Sequence, residues 1–425
     1  MSDQKFSTNA LHAGHDVTKT AATRAVPIYQ STSFVFENTD HAADIFALKV
    51  PGNIYTRLNN PTNDILEQRI AALEGGIAAV VTASGMSAIA TALLVLLKSG
   101  DHIVASSSLY GGTYNLLSVT LPRVGITTTF VDADDPANFK KAIKENTRAI
   151  FVESLGNPKL DVIDLEAISK EAKAAQIPFI VDNTVATPAL LNPINYGANI
   201  VIHALTKYIN GNGTALGGAI VDAGTFDWSS GKFPEFTEPS PGYHGLVYHE
   251  ALGAAAFIAK VRIEGLRDYG SALSPFNAFQ IIQGVETLEV RIKRHSENAL
   301  ALAKWLQGRD EVAWVNYPGL ESSKYHRLAK KYLPGGQSGL ITFGIKGGYE
   351  AAKKVVDATH IFSLLANLGD TKSLIIHPAS TTHQQLDDAA QESTGTTKDM
   401  IRLSVGLEDL SDLKADLDQA FATLK

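Results

Sequence analysis

The sequence predicts an α/β protein: a mostly parallel sheet covered by helices, followed by a smaller α+β region. Three observations carry that reading. Short apolar runs, Ala78-Ala-Val-Val-Thr, His102-Ile-Val-Ala, Ala149-Ile-Phe-Val-Glu, Pro178-Phe-Ile-Val-Asp and Asn199-Ile-Val-Ile-His, each end in a polar residue or a loop. Helical patterns separate several of them, and strands buried on both faces read as continuous apolar runs rather than as alternation. Further along, the order changes to a long helical region, about Leu252 to Gly308, and then to strands near Leu340-Ile-Thr-Phe, Leu374-Ile-Ile-His and Ile401-Arg-Leu-Ser-Val.

Residues 1–64 carry little periodicity. They hold His12, Tyr29, the segment Tyr55-Thr-Arg57 and the breaker Asn60-Pro-Thr, and read as an extended arm that must dock on something to be ordered. Residues 65–260 are the expected sheet-bearing domain. It opens with an amphipathic helix over Asp64 to Leu73, with Ile65, Ile70 and Leu73 among its apolar positions. Gly75-Gly76 breaks the pattern before the first strand, and Ser84-Gly85 opens a long apolar helix from Met86 to Leu97. Residues 234–248 form a Pro/Gly-rich loop. Residues 261–425 are expected to supply a linking helix and the smaller α+β domain. No internal repeat or low-complexity tract interrupts this order.

At 425 residues the chain can bury a large core. Lys and Arg number 37 against 44 Asp and Glu, so 37 − 44 gives −7, and no Lys/Arg run occurs. That balance argues against a nucleic-acid partner. The absence of cysteine excludes disulfides, thiolate zinc sites and a cysteine nucleophile. The opening Met1-Ser-Asp-Gln-Lys-Phe6 lacks the apolar stretch of a signal peptide, and no run approaches the roughly 18 apolar residues a membrane span needs. A cytoplasmic location without a membrane partner is the expectation. The histidines show no metal-ligand spacing, so no metal site is expected.

Several motifs are weighed and set aside. Gly211-Asn-Gly213-Thr-Ala-Leu-Gly217 resembles a dinucleotide fingerprint, but its third glycine comes one position late and no strand precedes it. His249-Glu-Ala-Leu-Gly253 lacks the second histidine of a zinc-protease helix, and Ser84 to Ser87 lacks the flanking glycines of a nucleophile elbow.

Four features converge on one chemistry. In parallel sheets, ligands collect beyond the carboxyl ends of the strands. Ala83-Ser84-Gly85-Met86-Ser87 lies between a strand and a helix, where a tight turn and helix-start N–H groups can hold a phosphate. Asp182 ends Pro178-Phe-Ile-Val-Asp, and a carboxylate there can keep a pyridine nitrogen protonated. Lys207 follows the Ile200-Val-Ile strand, where an unpaired ammonium is costly to bury and an imine to a cofactor aldehyde removes the charge. Tyr110, before Gly111-Gly-Thr, can stack on a flat ring. Read singly, these are an ordinary helix cap, a loop aspartate, a solvated lysine and turn packing. Together they describe a pyridoxal-phosphate site.

With those residues in place, the chain resembles the Cys/Met-metabolism group of fold-type I pyridoxal-phosphate enzymes. The likeness runs from the Tyr-x-Arg arm to Ile401-Arg-Leu-Ser-Val-Gly, and the Lys207 segment, with Thr206, Tyr208 and Gly211, matches much of the family's cofactor-lysine pattern. Pro239-Ser-Pro-Gly-Tyr-His-Gly, Asn367-Leu-Gly-Asp-Thr-Lys and Ile376-His-Pro-Ala-Ser-Thr-Thr-His resemble the O-acetylhomoserine sulfhydrylase branch. The resemblance implies a homo-oligomer, a tetramer built as a dimer of dimers. Gly85 and Met86 would offer N–H groups, and Thr206 a hydroxyl, to the phosphate. Tyr55 and Arg57 would reach the phosphate of a neighbouring subunit. Tyr110 would stack on the ring and move a proton, and Asn157 would bond the ring's 3-oxygen. Lys207 would serve as anchor and base, and Asp182 would hold the pyridine nitrogen. Arg402, with Asn367, would clamp the substrate α-carboxylate.

The implied reaction replaces the γ-acetate of O-acetylhomoserine by sulfide, giving homocysteine. Cystathionine γ-synthase, cystathionine γ-lyase and methionine γ-lyase share the same residues, so the pocket decides among them. A catalytically silent binding protein on this fold is the reading from another class, against which the intact Lys207, Asp182 and Arg402 weigh. Two positions depart from the family pattern: Ala204 stands where serine is usual, and Asn212 where relatives often carry histidine.

Overall fold

The computed structural model describes residues 4–382, 384, 391 and 395–425. His383, the last residue of the Ile376-His-Pro-Ala-Ser-Thr-Thr-His segment, lies outside them. Seven strands carry the α/β part: β1 (Ala78–Thr82), β2 (His102–Ser106), β3 (Thr127–Val131), β4 (Thr147–Glu153), β5 (Phe179–Asp182), β6 (Ile200–His203) and β7 (Gly218–Asp222). Five more follow: β8 (Val312–Asn316), β9 (Leu340–Ile345), β10 (Ser363–Leu364), β11 (Leu374–Ile376) and β12 (Met400–Ser404).

The chain divides into two compact units that do not follow chain order. The first comprises Met1–Leu97, Asn199–Thr206 and Thr214–Glu286; the second comprises Lys98–Ala198, Lys207–Gly213 and Thr287–Lys425. In the first unit the strand order is β1-β7-β6, with β7 antiparallel to both neighbours. In the second, β5-β4-β2-β3 run parallel throughout. The apolar runs seen in the sequence account for β2, β5 and β6, which, like β7, are buried along their whole lengths, as strands covered on both faces must be. The second unit also holds a sheet of order β10-β11-β12-β9-β8, parallel only between β10 and β11. Its core packs Ile341, Phe343, Ile401 and Leu403 against Leu302, Leu306, Leu417 and Phe421 from two helices, Leu288–Gln307 and Leu410–Ala422.

The structure corrects three local expectations. Residues before 61 are not uniformly extended, because Phe6–His12 and Thr39–Phe46 are helical. Asn38 caps the second of these, its side chain accepting from His41 N at 2.8 Å, a short-range signal that weak periodicity concealed. The supposed breaker at Asn60-Pro61 is a helix start. Asn60 is the N-cap of Pro61–Glu74 and Pro61 is pre-set for the first turn, so the helix begins ahead of Asp64. The helical region after Leu252 is interrupted at Gly270, and a new helix begins at Pro275.

The N-terminal residues are tied to the first unit by polar contacts rather than by a core of their own. Buried Arg69 donates from Nε to Ala13 O at 3.0 Å and pairs with Glu286 at 3.1 Å. Fully buried Asn60 accepts from Thr62 N at 2.9 Å and donates to Tyr29 O at 2.8 Å and Thr56 Oγ1 at 3.0 Å. A helix cap and two buried tethers thus share one side chain. Asn60→Ala is therefore expected to cost about 1–3 kcal/mol by lost capping and stranded partners. A thermal melt checks this, and a midpoint equal to the parent's would show that the cap carries nothing.

Candidate active site

The carboxyl ends of the parallel strands in the second unit carry two of the acidic residues that frame the site. Glu153 ends β4 and Asp182 ends β5, and the two stand opposite each other in register. Asp182 is buried, and its Oδ1 accepts from Thr184 N at 3.0 Å and from the Thr184 hydroxyl at 2.5 Å. Glu153 is buried too, and its Oε1 accepts the Tyr110 N–H at 2.6 Å. Burial, and then the Asp182 charge beside it, push the Glu153 carboxyl well above the usual carboxylate range. The two buried carboxyls stand at adjacent strand ends, where a charge on either disfavours a charge on the other. Tyr110, held at its backbone by Glu153, begins the helix Gly111–Asn115 and keeps half its surface exposed.

The lysine and the arginine are joined through one asparagine. Lys207 Nζ donates to Asn367 Oδ1 at 2.6 Å, and Arg402 Nη2 donates to the Asn367 backbone oxygen at 3.0 Å. Arg402 Nη1 donates to Asn157 Oδ1 at 3.0 Å. Arg402 lies on β12, only 6 % exposed, and its buried Nε meets no acceptor among the described residues. Burial lowers its guanidinium to about 10, which leaves it charged near neutrality. Burial first, and then the Arg402 charge, lower the Lys207 amine to about 8. The arrangement offers an anion site at Arg402 beside an amine that gives up its proton readily, which suits an α-amino acid.

In the first unit, Ser84 caps the helix Gly85–Leu96 in a capping box: its hydroxyl accepts from Ser87 N at 3.1 Å, and Ser87 Oγ accepts from Ser84 N at 2.9 Å. Gly85 and Met86 occupy the first turn, where N–H groups point out of the helix end. Gly85 must be glycine because a Cβ there would stand 2.5 Å from the Ala204 Cβ. Thr206 Oγ1 accepts from Gly217 N at 3.1 Å and donates to Gly217 O at 3.3 Å, which fixes the hydroxyl at the turn. Tyr55 and Arg57 lie together, the Arg57 guanidinium 5.5 Å from the Tyr55 ring centre, and Arg57 Nη1 donates to Arg267 O.

In the second unit hydrogen bonds join Lys207, Asn367, Arg402 and Asn157, while Tyr110 is held by Glu153, whose strand partner is Asp182. Sequence reasoning gave Glu153 a place but no role, and its strand-end position next to Asp182 was the available signal. It also missed that the Asn367 side chain engages Lys207. That contact joins residues far apart in sequence and leaves no local pattern. The donor set fits pyridoxal phosphate: an amine of lowered basicity, a carboxylate at a strand end, a half-exposed aromatic ring, and an arginine with an N–H to spare. Among the described residues no cluster of potential metal ligands and no membrane-length apolar helix occurs.

Fold and site thus define a fold-type I pyridoxal-phosphate enzyme. The chain belongs to the Cys/Met metabolism PLP-dependent enzyme family, whose profile matches residues 7–422. It is 55 % identical to an O-acetyl-L-homoserine sulfhydrylase of Leptospira meyeri, over 99 % of this chain and 97 % of that one. It is 52 % identical to a homocysteine synthase of Schizosaccharomyces pombe, over 98 % of each chain. A crystal structure from Campylobacter jejuni, described as an O-acetylhomoserine (thiol)-lyase with N'-pyridoxyl-lysine-5'-monophosphate, superposes with a TM-score of 0.96 at 46 % identity, covering 99 % of this chain and 100 % of that one.

With the cofactor stripped, acylation of Lys207 across a pH series is expected to reach half its limiting rate near pH 8, below the ordinary lysine value of 10.5. Arg402→Met is expected to move that midpoint upward by removing a nearby positive charge. A parent midpoint near 10.5 would contradict the assignment.

Proposed function

We propose that this enzyme converts O-acetyl-L-homoserine and sulfide into L-homocysteine and acetate, a γ-replacement serving methionine biosynthesis in the cytoplasm. The observation that carries the reading is the Lys207–Asn367–Arg402 chain, which sets an amine-exchanging lysine beside a carboxylate-binding arginine. The names of the relatives at 55 % and 52 % identity support the choice of substrate.

When bound, pyridoxal phosphate supplies an aldehyde that condenses with amines and a protonated ring that accepts the electrons left by a departing proton. Lys207 would hold it through its amine and, once freed by the substrate amine, would take the α-proton, pass that proton on, and, neutral again, take a β-proton. A base must be neutral to act. With the amine at about 8, roughly a tenth is neutral at pH 7, against well under a thousandth for an ordinary lysine. Asp182 keeps the proton on the ring nitrogen, and Glu153, its carboxyl pushed up by burial and then by the Asp182 charge, stands beside it. Arg402 grips the α-carboxylate through its planar fork, which a lysine would not reproduce. Asn157 bonds the ring's 3-oxygen, Tyr110 stacks on the ring and moves a proton at the leaving group, and Asn367 adds a second carboxylate contact. Gly85, Met86 and Thr206 hold the phosphate.

Tyr55 and Arg57 complete the phosphate site of a neighbouring subunit in a tetramer of paired dimers. Tyr55 is 42 % exposed, and Val35 and Phe46 on the same N-terminal stretch expose large apolar surface, as a segment awaiting a second copy would.

Homocysteine formation from O-acetylhomoserine with sulfide, compared with cystathionine formation when cysteine replaces sulfide, tests the activity. Fast homocysteine and little cystathionine are expected; preferred cystathionine would assign a synthase acting at the same lysine. Mixing Arg57→Ala with Lys207→Ala subunits is expected to restore activity that neither has alone, because each hybrid pair contains one intact site. No recovery after verified subunit exchange would rule out the shared site. Ala204→Ser is expected to tighten cofactor binding about tenfold through one more charge-assisted hydrogen bond. Equilibrium dialysis checks it, and an unchanged dissociation constant would show that Ala204 costs nothing.

A further inference from the structure

Among the buried polar residues of the helix Leu288–Gln307, Arg291, His295 and Asn298 are spaced four and then three apart, which puts them on one face. Polar residues at such spacing commonly form a solvated stripe, but these reach two backbone segments of the second unit, both next to the proposed catalytic machinery. Arg291 Nη1 donates to Tyr208 O at 2.7 Å, and Nη2 donates to Ile209 O at 3.2 Å. These are the carbonyls of the two residues after Lys207, in a turn closed by Gly211 N donating to Lys207 O at 2.8 Å. Arg291 Nε donates to Thr287 Oγ1 at 3.0 Å, which fixes the plane of the fork. Gly211 has φ +73°, and a Cβ there would overlap the Arg291 guanidinium, so the turn is built around that group. The Tyr208 hydroxyl is held as well, accepting from Gly339 N at 3.1 Å and from Ser338 Oγ at 3.2 Å.

The other two residues reach the segment that follows Arg402. His295 Nδ1 donates to Val405 O at 2.6 Å, and burial lowers its imidazole to about 4, so the ring is neutral and this bond persists at neutral pH. Asn298 Nδ2 donates to Gly406 O at 3.1 Å and to Glu408 O at 2.9 Å. One rigid helix therefore grips the chain just after Lys207 at one point, and the chain just after Arg402 one and two turns further along.

We infer that the Arg291–His295–Asn298 face is the positioning element that sets the spacing between the cofactor-binding lysine and the carboxylate-binding arginine. The inference rests on the functional reading above. An α-amino acid presents its amine and its carboxylate at a fixed separation, so Lys207 and Arg402 must be held at a matching one, and an error near 1 Å is costly in rate. A helix is suited to this, because its length per residue is fixed. Arg291 serves the lysine end through a two-pronged grip, for which lysine offers only a point charge. Asn298 serves the arginine end. None of the three touches substrate or cofactor; they act through Lys207 and Arg402.

The two ends predict separable defects. In cofactor-free protein mixed with pyridoxal phosphate, Arg291→Lys is expected to slow formation of the lysine–cofactor bond, followed by its visible absorbance, by about tenfold per folded molecule. Asn298→Ala is expected to leave that rate near the parent's while raising the KM for O-acetylhomoserine by about tenfold. Circular dichroism and melting establish the folded fraction, and Arg291→Gln and Asn298→Ser stand in if either first variant does not fold. Lower melting temperature with both rates and KM at parent values would overturn the proposal, since it would leave the face merely structural. So would an identical loss in both quantities from both variants. Parent protein that forms no lysine–cofactor bond would instead overturn the functional reading on which this rests.

Discussion

Lys207 and Arg402 are two cations that the fold buries within reach of one asparagine, and much of the second unit can be understood as the means of keeping them there. Taken from water, a lysine ammonium beside a guanidinium is doubly disfavoured: burial penalises its charge and the arginine repels it. The outcome is an amine lowered to about 8 rather than a displaced side chain, because Asn367 accepts its proton side at 2.6 Å while its backbone oxygen accepts from Arg402. Arginine keeps its charge at about 10 and remains the anion site. In the proposed reaction, the same burial that would destabilise an idle lysine fits this one to act as a base and a nucleophile near neutrality.

The surrounding carboxyls follow a complementary logic. Glu153 and Asp182 end adjacent parallel strands in register, so the sheet itself brings two acids together. Glu153, its carboxyl pushed up by burial and by its neighbour, accepts the Tyr110 backbone N–H with one oxygen. In the proposed site Asp182 is the carboxylate opposite the ring nitrogen, with Tyr110 held nearby through Glu153.

Much of this was legible in the sequence, for physical reasons. Strands buried on both faces leave continuous apolar runs, and the polar residue at the end of such a run marks the edge where ligands collect; Glu153, Asp182 and the Lys207 turn were visible that way. The β7 strand was not, because the glycine-rich stretch 211–217 leads directly into Gly218 and masks a short apolar run as loop. The helix start at Asn60-Pro61 was misread as a break, since asparagine and proline serve both ends. The joining of Lys207, Asn367 and Arg402 links residues far apart in sequence and leaves no local pattern to read. The stripe Arg291–His295–Asn298 looks like an ordinary polar face until the carbonyls it meets are known.

Borohydride reduction of the pyridoxal-phosphate-loaded enzyme, followed by proteolysis and mass mapping, tests the central assignment most directly. A stable pyridoxyl mass on the peptide containing Lys207, lost in Lys207→Ala, is the result this account predicts. A label on another lysine, or none at all on fully loaded protein, would contradict it.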